Sequence, residues 1–239
     1  MKKLKERVKN PHYIEGIYDY CDRWCEKCPF TYRCLNYKMY EDRFGDLKDK
    51  DLKNEEFWYR FSEMMKETFD MIKESMQEWG IDIQDIDGEP AQDNAAEDQF
   101  LVILAEEYSS KVTTWFEEPY YINEQKAIDL ERDSVEIKEI IDIIHWYQYQ
   151  IEVKLTRAFN SINLDDEISI KDMNGSVKVA LIGIDRSIGA WAKFMEFILE
   201  REDSILDMLN VLQKMLTITE KAFPHARSFI RPGFDETSP

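Results

Sequence analysis

The chain has 239 residues, 44% hydrophobic and 33% charged, with a formal net charge of −18. That is enough apolar material for a large domain, and 8 glycines with 7 prolines are too few for a turn-dense β fold. No apolar run reaches the roughly 18 residues that a bilayer span needs, so no membrane partner is expected.

The charge is uneven. Residues 1–53 carry 13 Lys+Arg against 10 acids, so residues 54–239 hold a net charge of −21. A body this acidic repels a phosphate backbone, which argues against nucleic acid as its partner. The N-terminal MKKLKERVK is basic, but no apolar stretch follows it. We therefore expect no signal peptide and a cytoplasmic location.

All 4 cysteines fall in the window CDRWCEKCPFTYRCLNY, as Cys21, Cys25, Cys28 and Cys34. In the cytoplasm such clustering points to metal ligands or redox groups rather than structural disulfides. If residues 13–28 form a helix, Cys21, Cys25 and Cys28 share one face at i, i+4 and i+7. Pro29 turns the chain, and Cys34 returns toward the same point. Arg23, Lys27 and Arg33 lie alongside and favour the thiolate form. Four thiolates suit Zn²⁺ or an iron–sulfur cluster. His12, upstream, is an alternative ligand. The aromatic residues around the window, among them Trp24, Phe30 and Tyr32, would dock the module onto a larger body.

Beyond Asn54 the pattern is helical. Phe57, Phe61, Met64, Met65, Phe69 and Ile72 recur at three- and four-residue steps, and Gly80 supplies a C-terminal stop. Residues 81–98 hold seven acids and no base and mark a solvated loop. A second helix is expected over 97–118 and a third over 134–160, with Val135, Ile140, Ile144, Ile151 and Leu155 facing inward. INLDDEISIKDMNGS reads as a connector. A fourth helix is expected from Ser176, and either a fifth or a continuation runs to Lys221. On the fourth, Ala180, Gly183, Ser187 and Ala190 permit close approach of a neighbouring helix. The Pro- and Gly-containing tail is expected to be irregular.

The second half of the window, CEKCPFTYRCLNY, resembles three-cysteine parts of [4Fe–4S] sites. It is similar to the motif of the WhiB-like regulators, with Leu35 and Tyr37 continuing the likeness, and to the iron–sulfur loops of endonuclease III-type glycosylases and AddB-type nucleases. The resemblance implies a cluster, with Cys21 as the remaining ligand, and not those families' activities. Cys21-x3-Cys25-x2-Cys28 also has the radical SAM spacing. Lys27 stands where that family has an aromatic, and no strand–helix alternation follows.

A second candidate is the Asp142-x2-His145 step, which places a carboxylate and an imidazole on one helical face, as di-iron bundles do with Glu-x2-His. No nucleophile–base set can be assembled, so binding is expected rather than catalysis. The whole reads as an all-α protein. An N-terminal four-cysteine metal module (1–53) precedes an antiparallel up-and-down helical bundle (54–222) and an irregular tail (223–239). The expected cofactor is a [4Fe–4S] cluster, with zinc as the alternative, and the expected partner is a protein.

Overall fold

A computed structural model describes residues 10–47, 53–80, 96–119, 129–162, 164 and 166–235. The basic N-terminus and most of the acidic segment 81–98 lie outside these. Among the described residues the protein is all-α, with no strand. The longer helices are α1 (Leu35–Phe44), α2 (Glu55–Trp79), α3 (Ala96–Glu117), α4 (Ser134–Asn160), α5 (Glu167–Phe197) and α6 (Glu202–Ala222). No described helix is long and apolar enough to cross a membrane.

Two compact units divide the chain. The first takes Met1–Tyr18, Cys25–Gln92 and Pro232–Phe234; the second takes Asp19–Trp24, Asp93–Arg231 and Asp235–Pro239.

In the first unit, Phe44 is buried at the end of α1, with its ring 5.2 Å from Tyr40 and 5.4 Å from Phe57. Arg60 ties the start of α2 to the preceding turn. It reaches Asp46 at 2.5 Å, Glu56 at 2.7 Å and the Arg43 carbonyl at 2.8 Å. The Asn54 side chain caps α2 by accepting from the Glu56 and Phe57 amides, and Gly80 closes it in the left-handed conformation. The expected apolar stripe of α2 is present. Yet none of its described side chains is buried, and Met65, Phe69 and Ile72 are exposed.

The second unit holds the main core. The helices pack chiefly as α4 with α5, α5 with α6, α3 with α4 and α3 with α6. On α4 the inward positions Ile140, Ile144, Tyr147, Ile151, Leu155 and Ala158 repeat at helical steps, as one buried face requires. Val135, expected inward, is 76% exposed in the first turn of that helix. The small residues of α5 do permit close approach: a Cβ on Gly183 would stand 2.8 Å from Tyr147 Cδ1.

One boundary differs from expectation. The connector before residue 176 is mostly helix, because α5 begins at Glu167 behind an Asp166 cap that accepts from the Ile168 and Ser169 amides. Of the two readings for the end of the bundle, the separate fifth helix is the one present, as α6. Ile198 leaves the helical conformation, and a 3-10 turn, Leu199–Arg201, intervenes.

Candidate metal centre

The cysteine window is not the expected helix. Arg23 has φ 60°, the left-handed region that breaks an L-residue helix, and Cys25–Lys27 is a separate 3-10 turn. Cys21, Cys25 and Cys28 therefore do not share a continuous helical face. All four thiols are of intermediate exposure, and none is joined in a disulfide.

Three of the cysteines belong to the first unit. The Cys28 amide donates to the Cys25 carbonyl at 3.2 Å, closing the turn before Pro29. Cys28 Sγ then accepts the Phe30 amide at 3.4 Å. Cys34 is the N-cap of α1, and its Sγ accepts the Tyr37 amide at 3.4 Å. Peptide N–H groups aimed at sulfur tune a metal bound to it. The Phe30 ring meets Phe234 edge-on at 5.0 Å. His12 is exposed, and its Nε2 lies 2.9 Å from the Tyr32 carbonyl oxygen.

Cys21 belongs to the second unit, in the short segment Asp19–Trp24. That segment lies on the helices. Arg157 Nη2 donates to Asp19 at 2.7 Å while its Nε and Nη2 hold Asp172. The Tyr147 hydroxyl donates to Asp22 Oδ2 at 2.5 Å, and Arg186 reaches the same oxygen at 3.2 Å. Trp24 stacks on Trp146 with centroids 5.1 Å apart. Burial, and then the Asp22 carboxylate, push the Tyr147 hydroxyl well above the usual tyrosine range. Lys154 is almost fully buried beside this segment, with its Nζ 3.4 Å from the Asp19 carbonyl. Burial pulls its amine below the ordinary lysine range, and the Cys21 sulfur is the foremost charge opposing that pull.

The donor chemistry, four thiols with peptide N–H groups on two sulfurs, fits a thiolate metal or cluster. Among the described residues, however, no three His, Cys, Asp or Glu side chains are gathered closely enough to hold a metal ion. This bears on the second candidate as well. His145 is exposed, with Nδ1 3.3 Å from Gln148 Oε1 and its ring 4.4 Å from that of Phe116. Among the described residues, no group of three such donors includes it.

Sequence reasoning missed the residues that hold the segment around Cys21. Arg157, Tyr147, Trp146 and Arg186 lie more than 120 residues away in the chain, and no local spacing signals them. No family model, no curated protein and no solved structure matches the chain.

Proposed function

We propose that Cys21, Cys25, Cys28 and Cys34 bind a [4Fe–4S] cluster in a cytoplasmic helical protein. The cluster there is structural or redox-sensing. The observation that carries this reading is four thiols within fourteen residues, two of them already receiving backbone N–H groups. A cluster on four thiolates is anionic, and hydrogen bonds to the sulfurs stabilise it and set its potential. Zinc is the second reading, because the same donor set satisfies a tetrahedral ion. In that case the protein is a zinc-stabilised adaptor for a protein partner and has no redox role.

The same reading takes residues 1–53 as a metal module and the long helices as an antiparallel up-and-down bundle. Residue pairing across α3 and α4 supports the antiparallel order. Ser109 bonds Gln148 and Phe116 meets His145, so numbers rise on one helix as they fall on the other. Arg157 with Asp172, and Tyr147 with Gly183, give the same reversed order across α4 and α5.

Anaerobic purification with iron, sulfide and zinc analysis tests the reading. Iron and acid-labile sulfide in about equal amounts, with the visible sulfur-to-iron absorption, are the expected result. A colourless protein with one zinc overturns the cluster and leaves the adaptor. A chain that takes up neither metal overturns both.

A further inference from the structure

We propose that Tyr147 and Arg157 are positioning residues for Cys21: by holding Asp22 and Asp19 they fix the backbone on either side of it on the helices before any metal arrives. The inference deepens the metal reading and rests on it for its purpose, though not for its geometry. Cys21 sits between two anchored neighbours, and each anchor is a set of contacts inside the second unit.

On the N-terminal side, Asp19 is held by Arg157, which is itself fixed by its fork on Asp172. The Asp19 carbonyl also accepts from Lys154. Tyr20 is buried, with its ring 5.8 Å from that of Phe229. It lies over Gly175 so closely that a Cβ there would stand 2.4 Å from Tyr20 Cδ1. Arg231 approaches the Tyr20 carbonyl at 3.5 Å.

On the C-terminal side, Asp22 is held twice. Its carboxylate accepts from Tyr147 and Arg186, and its carbonyl accepts from Trp146 Nε1 at 3.0 Å. The Trp24 stack on Trp146 then fixes the exit of the segment. The backbone on both sides of Cys21 is thus set by helices α4 and α5 and by the tail.

A ligand whose flanking backbone is already held loses less entropy when metal binds than one on a free segment would. Residues standing behind a metal ligand commonly change metal affinity about 10–100-fold when removed. Tyr147→Phe deletes one hydroxyl, and Arg157→Gln deletes the fork; neither residue is itself a ligand.

The test uses the full chain in two states. First, the reduced, metal-free protein is alkylated with iodoacetamide, and labelling of each cysteine is followed by peptide mass spectrometry. In Tyr147→Phe/Arg157→Gln, Cys21 is expected to label roughly threefold faster or more, as a local opening does, while Cys34 keeps its wild-type rate. Trp146→Phe, which removes a different anchor, is expected to shift Cys21 in the same direction. Equal acceleration at all four cysteines, or no change at Cys21, overturns the inference. Second, metal affinity is measured by competition with a chelator. A loss of about tenfold or more in the double variant is expected, and unchanged affinity overturns the positioning role. A wild-type chain that binds no iron or zinc overturns the metal reading, while the alkylation rates still decide whether the helices hold Cys21.

Discussion

Gly183 of α5 lies so close to Tyr147 of α4 that a Cβ would stand 2.8 Å from the ring and 3.2 Å from Ile151 Cγ1. The absence of a side chain is what lets these two helices meet. Gly183→Ala is expected to destabilise the protein by about 1–3 kcal/mol, because a packed ring must shift. Gly189, two turns on in the same helix, has nothing within 4 Å of an added Cβ. There alanine is expected to stabilise by about 0.5–1 kcal/mol, through helix propensity alone. Urea denaturation of the two variants, read against wild type, should show the opposite signs.

Tyr108 ties α3 to α5 from inside the core. It is fully buried, and its oxygen accepts the Trp191 indole N–H at 3.0 Å. Burial pushes its hydroxyl from 10.0 up to about 12. The unfolded chain therefore loses this proton first, so stability from the neutral phenol is complete below pH 10 and drains away toward about pH 12. Tyr108→Phe strands the indole N–H and should cost about 1–3 kcal/mol at neutral pH. The gap between wild type and variant should narrow as pH rises through that window. Denaturant midpoints at several pH values check both the size and the slope.

Cys34 caps α1 and is one of the four proposed ligands, and a single substitution separates the two. Its sulfur caps α1, and serine is among the preferred N-cap residues. Cys34→Ser is therefore expected to keep α1 while removing one sulfur. Full metal content in that variant would show that the proposed four-sulfur site is wrong. Metal analysis together with far-UV circular dichroism separates loss of ligand from loss of fold.

Helix α2 depends on its ends. No described side chain along it is buried, so little core packing holds it. Its Asn54 cap satisfies two amides of the first turn, and Gly80 accommodates the left-handed stop. Asn54→Ala is expected to cost that helix about 1 kcal/mol. Hydrogen exchange should quicken in the first turn of α2 and stay unchanged in α4 and α5.

Much of the fold is legible in the sequence, and the exceptions have physical causes. Helices α2, α3 and α4 end where caps, glycine and the apolar period place them. The start of α5 is hidden because Asn174-Gly175 looks like a turn. Gly175 instead gives Tyr20 room to lie against the helix. Val135 satisfies the inward period of α4 and still faces outward, one turn before the buried face begins at Ile140. In the cysteine window the spacing exposes the thiols as a group, but not their conformation. Arg23 takes a left-handed backbone angle, and its neighbour Asp22 is drawn to Tyr147, a pairing 125 residues long in the chain.

The Asp19–Trp24 segment also governs how the chain can be divided. It interrupts the first unit in sequence while belonging to the second. No single cut therefore yields both units complete. A fragment starting at residue 54 would retain the long helices but lose the carboxylates that face Arg157 and Tyr147, and the ring that fills the space over Gly175. Expressed alone, those helices would lack the partners of Arg157, Tyr147 and Gly175, and a synthetic peptide of the Asp19–Trp24 sequence should be able to restore them.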